Sequence, residues 1–308
     1  MLDVLDSSTN NGLVRRDAIA ESCWINLVAP TEEEIREVQE RLGIEPDLLR
    51  YPLDSEERSR VEIEEDQILV MVDIPIVEGT QEYATIPLGI ILKDDTIVTV
   101  CLKPNPILDE FTDGRVKACT TRRRNRFAFQ ILMKTATYYL RYLKTIHKVS
   151  EEIEDELQRS MKNTGLVVLM ALEKSLVYFG TSLRGNEPVL EKLTRLKSLA
   201  IQEEDEELLQ DVIIENKQAI EMSVIYTGIL GGMTSAFASI ISNNMSRVIK
   251  FLAVVTIMIA IPTMVAGYFG MNLELPGQHS AWAFSIVAGL SLAVSVVLGF
   301  ILGRLKIG

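Results

Sequence analysis

The stretch KFLAVVTIMIAIPTMVAGYFGMN, Lys250 to Asn272, has no charged side chain after its first residue and ends on Gly-Met-Asn. Its apolar part is close to the ~20 residues that a helix needs to cross a ~30 Å hydrocarbon layer. A second uncharged run, Ala281 to Leu302, follows after a link over residues 270–280. The two runs predict a hairpin of two membrane-spanning helices.

Basic residues mark the outer ends of this hairpin. Arg247 and Lys250 precede the first run, Arg304 and Lys306 follow the second, and the link contains neither Lys nor Arg. Cytoplasmic flanks of membrane helices are enriched in basic residues. We therefore expect a plasma (inner) membrane protein with both termini in the cytoplasm and the link outside.

The rest of the chain is acidic. The net charge is −12, and the residues from Arg247 onward contribute +3, so the first 246 residues carry −15. This disfavours nucleic acid as a partner, and it suits divalent cations or an ordinary solvated surface. The three cysteines form no CxxC pair. No hydrolase triad, GxGxxG or P-loop pattern is visible, so we expect no enzyme.

A further uncharged segment, Met222 to Ser246, is rich in Gly, Ser, Thr and Asn. Its many polar groups would need partners inside lipid, whereas small residues suit close helix packing. We therefore predict that this segment packs against copies of itself outside the membrane. The alternative is a third span, which would place one terminus outside.

The residues before about position 110 predict an α/β arrangement. Cys23–Pro30 and four later runs have strand character, while Thr31, Glu34 and Gly43 supply a capping box and a stop for the helix between them. The later strand runs are Arg60–Glu64, Gln67–Val77, Thr85–Leu92 and Thr96–Leu102. We expect a mixed or antiparallel sheet with helices packed on it.

Helical periodicity dominates from Thr121 onward. Gly185-Asn186 followed by Pro188 predicts a break and the start of another helix. The chain from Glu206 to Phe269 is predicted to form one helix of 64 residues, roughly 95 Å long. The fold class is thus an α+β cytoplasmic domain joined by a very long stalk helix to two transmembrane helices.

This pattern divides the chain into six parts. They are an N-terminal α/β domain (1–120), a helical region (121–205), a stalk helix continuing into the first span (206–269), an external loop (270–280), a second span (281–303) and a basic tail (304–308).

The segment IPTMVAGYFGMN, an acidic α/β region before it and a second span after it together resemble the CorA family of magnesium/cobalt transporters. The family's mark is Gly-Met-Asn at the end of the first of two C-terminal spans, here Gly270-Met271-Asn272. The resemblance implies a homopentamer in the lipid bilayer, with five first spans around one pore. It implies a gated channel that admits Mg²⁺, with Co²⁺ and Ni²⁺ as further candidates.

The resemblance also implies roles for individual residues. Gly270, Met271 and Asn272 would form the selectivity filter, since amide oxygens in a ring accept hydrogen bonds from the waters of hydrated Mg²⁺, which sheds water reluctantly. The implied pore-lining and gate positions are Thr263, Leu252, Ile249 and Ser246. Apolar rings at Leu252 and Ile249 would gate by dewetting.

Regulatory Mg²⁺ would bind between cytoplasmic domains, at Asp211 and a partner for which Asp73 and Glu78 are candidates. In the loop, Glu274 is expected to attract cations. His279 is either a surface residue or a ligand for a softer metal. Two alternatives stay open: a zinc transporter of the same superfamily, and a cytoplasmic sensor domain on a membrane anchor.

Overall fold

The structure is a computed structural model that describes residues 1–7, 13–16, 18–20, 22–79, 81–159, 163–199, 201–271 and 282–304. Seven strands are described: β1 (Leu2–Asp6), β2 (Val14–Arg16), β3 (Trp24–Val28), β4 (Arg60–Glu64), β5 (Gln67–Val77), β6 (Tyr83–Lys93) and β7 (Thr96–Cys101). Helices described are α1 (Glu32–Leu42), α2 (Pro46–Arg50), α3 (Pro106–Thr112), α4 (Arg124–Arg159), α5 (Asn163–Arg195), α6 (Glu203–Phe269) and α7 (Ala283–Arg304).

Contacts between residues divide the chain into two compact units, Met1–Thr234 and Ser235–Gly308. The first unit contains the sheet, α1 to α5 and the first part of α6. The second contains the rest of α6 and α7.

The seven strands of the first unit form one mixed sheet in the order β2-β1-β3-β7-β6-β5-β4. All neighbours are antiparallel except β3 and β7, which run parallel with Trp24 opposite Ile97. Side chains alternate between two buried cores: Val70 and Val72 face the helices α3 to α6, while Leu69 and Met71 face α1 and α2. Burial on both faces explains why β5 and β6 are almost continuously apolar.

The predicted start and end of α1 are confirmed. The Thr31 hydroxyl accepts a hydrogen bond from the Glu34 amide at 3.3 Å, and the Glu34 carboxylate accepts one from the Thr31 amide at 2.9 Å. Gly43 ends the helix with φ +63°, in the left-handed region that glycine tolerates best. Local sequence signals therefore suffice to define this element.

The predicted break at Gly185-Asn186 is wrong, because α5 continues through both residues and through Pro188 to Arg195. The Asn186 side chain is buried and is held by the β5 backbone: its Oδ1 accepts from the Asp73 amide and its Nδ2 donates to the Asp73 carbonyl, both at 2.9 Å. These tertiary hydrogen bonds and the apolar neighbours outweigh the helix-breaking tendency of proline.

The predicted long helix is present. α6 begins at Glu203, three residues before the predicted start, and ends at Phe269 as expected. Its first turn is tied to the start of α4: Arg123, directly before α4, donates to Glu204 and to the buried Asp205, each at 2.9 Å, and Arg126 of α4 donates to Asp205 at 3.2 Å. The α+β class of the first unit and the long helix thus agree with the sequence-based expectation.

Three described helices are long and apolar enough to cross a membrane, namely α5 from Thr164 onward, α6 and α7. In α5 the side chains of Leu176, Phe179 and Leu183 are fully buried within the first unit. By contrast, the most apolar window of α6 buries none of its residues within a single copy of the chain. The core that α5 joins therefore explains part of its apolar character.

Candidate functional site

The predicted pore positions lie on the part of α6 that belongs to the second unit. Ile249 and Leu252 are 59% and 57% exposed, and Ser246 and Thr263 are also exposed. At 3.6 residues per turn, Ile249, Leu252 and Thr263 fall within about 60° of one another around the helix, with Ser246 about 60° further round. We refer to the strip along Ile249, Leu252, Thr256 and Thr263 as the open face of α6.

The helix α7 packs on another side of α6. The Ser295 hydroxyl donates a hydrogen bond to the Met258 carbonyl, and Gly299 lies so close to the Met258 side chain that a Cβ there would stand 2.5 Å from its Sδ. Met258 is about 120° round the helix from Leu252 and about 140° from Thr263. The half-buried residues of this segment share the side of Met258: Val254, Val255, Met258, Ile261, Pro262 and Val265.

α7 therefore leaves the open face uncovered. The stripe of α7 that contacts α6 is made of small residues, Ser291, Ser295 and Gly299, four positions apart. Such residues let two helices approach closely. This stripe was not predicted, although the four-residue spacing of small residues in the second apolar run was the available signal.

The two threonine hydroxyl groups on the open face donate their hydrogens to carbonyl groups of the same helix. Thr263 Oγ1 donates to the Ile259 carbonyl and Thr256 Oγ1 donates to the Leu252 carbonyl, both at 2.8 Å. Because each hydroxyl hydrogen is used within the helix, the oxygen presents its remaining acceptor capacity to the outside. Acceptors of this kind suit the water molecules around a hydrated cation, which point their hydrogens outward.

Gly270 and Met271, the first two residues of the predicted filter, directly follow the end of α6. The Gly270 amide donates to the Ala266 carbonyl at 2.9 Å, and the Met271 amide donates to the Tyr268 carbonyl at 3.4 Å. A Cβ at Gly270 would come within 3.2 Å of the Ala266 carbonyl oxygen, so the position favours glycine. Asn272, Glu274 and His279 lie outside the described residues.

The predicted regulatory carboxylates belong to the first unit and differ in their surroundings. Asp211 is exposed on α6, and Glu78 forms an ion pair with Lys103 at 2.5 Å. Asp73 is half-buried on β5, and its burial raises the pKa of the carboxyl, although the nearby Ser182 side chain acts to lower it. Within the described part of one chain, no group of three or more His, Cys, Asp or Glu side chains is arranged to hold a metal ion.

The surroundings of Asp73 were not predicted. Its carbonyl accepts hydrogen bonds from Asn186 Nδ2 at 2.9 Å and from the Tyr139 hydroxyl at 3.0 Å. Ser182, one turn before Asn186, donates to the Thr85 hydroxyl at 2.9 Å. The backbone at Asp73 is therefore fixed by α4 and α5, which come from distant parts of the sequence.

Comparisons with known proteins agree with this architecture. Residues 20–304 match the family model of the CorA-like Mg²⁺ transporter protein. The cobalt/magnesium transport protein CorA of Methanocaldococcus jannaschii is 28% identical over 291 residues, covering 91% of this chain and 90% of that protein. The protein of the same name from Thermotoga maritima is 23% identical over 292 residues, covering 89% of this chain and 80% of that protein.

A solved structure is also similar over nearly the whole chain. The complete structure of the CorA magnesium transporter from Methanocaldococcus jannaschii superposes with a TM-score of 0.82 at 26% identity. The match covers 99% of this chain and 98% of that one. With the family model matching most of its length, the chain belongs to the family of CorA-like Mg²⁺ transporter proteins.

Proposed function

We propose that the chain forms a gated channel that carries Mg²⁺ into the cell, with Co²⁺ and Ni²⁺ as further substrates. The proposal is supported by the names of the relatives, two of which are cobalt/magnesium transport proteins. The single observation that carries it is the open face of α6. This face combines apolar side chains with hydroxyl acceptors, and α7 covers the other side of the helix.

The second half of α6 and α7 are proposed to be the two spans. Arg247 and Lys250 precede one of them and Arg304 ends the other, while Tyr268 and Trp282 flank the link. Basic residues favour the cytoplasmic side and aromatic residues favour the interface. Both termini are then cytoplasmic and residues 270–280 are external, within the six-part division of the chain given above.

A homopentamer is the proposed assembly. In this arrangement the open faces of five α6 helices surround a central pore, and the five α7 helices form the outer ring against lipid. The exposed Ile249 and Leu252 then form apolar rings, which close to ions when water leaves them. Thr263 and Ser246 supply rings of hydroxyl groups above and below.

Asn272 is proposed as the ion-selecting residue, with Gly270 and Met271 shaping the turn. Five amide oxygens accept hydrogen bonds from the waters of hydrated Mg²⁺ and do not trap the ion as five carboxylates would. Glu274, in the same loop, attracts cations to the entrance. A membrane potential that is negative inside drives a divalent cation inward by roughly 4.6 kcal/mol per 100 mV, so no ATP is required.

Cytoplasmic Mg²⁺ is proposed to hold the closed state by binding Asp211 of one copy and a carboxylate of its neighbour, Asp73 or Glu78. Asp73 is favoured by its partial burial, which disfavours the ionised carboxylate and raises its pKa. A divalent cation would supply that missing stabilisation. Glu78 already has Lys103 as a partner.

Flux into proteoliposomes tests this function. Purified wild type, Asn272→Ala and the control Gln210→Ala are compared for uptake of Mg²⁺, Co²⁺, Ni²⁺ and Zn²⁺ under an inside-negative potential. Gln210 is an exposed amide on the same helix but in the first unit. We expect Mg²⁺ uptake by wild type and Gln210→Ala, faster when the cytoplasmic side lacks Mg²⁺, and none by Asn272→Ala.

The alternatives predict different results. Uptake of Zn²⁺ without Mg²⁺ would indicate the zinc transporter. No uptake of any of the four ions by wild type would refute the channel and favour a membrane-anchored sensor domain.

A further inference from the structure

The helix α5 presents an apolar strip that its own chain leaves uncovered. Val167, Met170, Val177 and Tyr178 are 65%, 55%, 51% and 43% exposed, although they belong to a helix whose other side is buried in the core. Lys174 lies between them, with its Nζ 5.5 Å from the centre of the Tyr178 ring. We call these five residues the α5 stripe.

A second uncovered strip lies on the part of α6 that belongs to the first unit. Ile214, Ile225 and Ile229 are 60%, 57% and 42% exposed. Glu221 is also exposed and lies on the same side of the helix, one turn before Ile225. We call these four residues the α6 stripe. Both stripes thus combine large, mainly aliphatic side chains with one charged residue, and the two charges have opposite sign.

The two stripes lie on opposite sides of the α5–α6 pair. Asn216 of α6 donates to the Leu183 carbonyl of α5 at 3.2 Å, and Ser223 donates to the Leu176 carbonyl at 3.0 Å. At 3.6 residues per turn, the α5 stripe is centred about 160° from the side that receives these bonds. The α6 stripe is centred about 170° from the side that donates them. Each stripe therefore points away from the other helix.

This arrangement determines the kind of contact that the stripes can make between copies. If the α5 stripe of one copy covers the α6 stripe of the next, a row of copies keeps one free stripe at each of its two ends. Such a contact is heterologous, and it closes into a ring when the rotation per copy allows. A self-matching contact of one stripe with the same stripe would give only pairs.

The register of α5 on α6 shows which side chains such a contact would bring together. The helices are antiparallel, and Leu176 lies level with Ser223 and Leu183 with Asn216. In a ring whose axis runs along these helices, the neighbour's α6 stands at the same height as the chain's own. Lys174 is then level with the neighbour's Ile225 and one turn from its Glu221.

We propose that the α5 stripe binds the α6 stripe of a neighbouring copy and that this contact closes the ring in the first unit. The proposal rests on the proposed function only in taking the protein to be a closed ring of identical chains. The occupant is a second copy because the two faces match in apolar character and in charge. Opposite charges across such a contact fix the register and exclude wrong pairings.

Cysteine cross-linking of the full-length protein in detergent tests the contact directly. Thr181 and Gln218 are exposed, lie beside the two stripes and are level with one another in the register above. The background is Cys119→Ser, which removes the half-buried native thiol and keeps the buried Cys23 and Cys101. The variant Thr181→Cys/Gln218→Cys in this background is treated with a mild oxidant. We expect a ladder of linked chains up to the complete ring on a non-reducing gel.

The two single-cysteine variants are the controls, and both should stay monomeric on the gel. Linkage of Gln218→Cys to itself without linkage in the mixed pair would overturn the proposal in favour of a self-matching contact. No linkage in the double variant, with oligomeric rings still present by mass, would also overturn it, because the ring would then close through other surfaces.

A charge exchange supplies a second, independent arm. Lys174→Glu or Glu221→Lys alone, placed in the double-cysteine background, should lower the linked fraction about tenfold because like charges then meet. Lys174→Glu/Glu221→Lys together should restore it, and an unrestored fraction would contradict the pairing. Since linkage is measured without ion flux, a protein that links but carries no Mg²⁺ would refute only the proposed function. A protein that carries Mg²⁺ without linking would refute only this contact.

Discussion

Replacing Asn186 with alanine tests whether the α5–β5 hydrogen bonds explain the continuity of α5. Asn186 is 3% exposed, and it makes three hydrogen bonds: from Asp73 N, from Ser59 Oγ and to Asp73 O, each at 2.9 Å. The Asp73 carbonyl keeps a second donor, the Tyr139 hydroxyl. The Asp73 amide loses the partner it has in the wild type.

The expected cost follows from these contacts. An orphaned buried donor costs about 1–3 kcal/mol, and the other two bonds contribute about 0.5–1.5 kcal/mol each before water replaces part of them. The higher helix propensity of alanine offsets about 0.5 kcal/mol of this loss in the free energy of unfolding. The net loss should be about 2–3 kcal/mol in the free energy of unfolding, or roughly 5–10 °C in Tm for a domain of this size.

Asn216→Ala is the matched control. Asn216 is also buried and helical, and it lines the same small cavity as Asn186, but its Nδ2 donates to the Leu183 carbonyl inside α5 rather than to the sheet. The loss should stay below about 1 kcal/mol. The exposed Trp282 is changed to Phe, so that the fluorescence of the fully buried Trp24 alone reports melting of the first unit in detergent. If the Tm values of Asn186→Ala and Asn216→Ala agree within 2 °C, the explanation of α5 is wrong.

Two further changes test burial and packing. Burial raises the pKa of the Asp73 carboxyl more than the nearby Ser182 side chain lowers it. The folded chain therefore holds this proton more tightly than the unfolded chain and loses stability as pH rises above about 4. The Tm of Asp73→Asn, measured without divalent cations, should therefore exceed that of wild type by more at pH 7 than at pH 4, and a constant difference would contradict this. Gly299→Val should destabilise the α6–α7 contact by about 1–3 kcal/mol because its Cβ meets Met258. Gly303→Val, which has no atom within 4 Å of the new Cβ, is the control, and an equal loss of Tm in the two would exclude the clash as the cause.

Much of the first unit was predictable because its signals are local. The strands β4 to β7 appear at the predicted positions within two residues, and α1 begins and ends at its predicted caps. The strands β1 and β2 were missed because Leu2–Asp6 and Val14–Arg16 are short and carry charged residues. The parallel pairing of β3 with β7 was also beyond a local pattern, since it joins segments about seventy positions apart.

The candidate site also has features that follow from local sequence and features that depend on tertiary contacts. Spacing alone places Ile249, Leu252 and Thr263 on one face of a helix. The structure adds that α7 packs on the side of Met258. The environment of Asp73 depends on Asn186 and Tyr139, which reach it from other elements. Glycine and proline signals at 185–188 pointed to a break because the sequence does not show which side chains a helix gains in three dimensions.

The parallel pairing of β3 with β7 has a consequence for the order in which the protein folds on the ribosome. The strands β4 to β7 are neighbours in sequence and form a meander that needs only short loops. By contrast, Trp24 of β3 cannot pair until Ile97 of β7 has been synthesised. At 5–20 residues per second, that delay is roughly 4–15 s. Strands β1 to β3, although made first, therefore join a sheet that the later strands have begun, and the N-terminal segment stays available to chaperones in the interval.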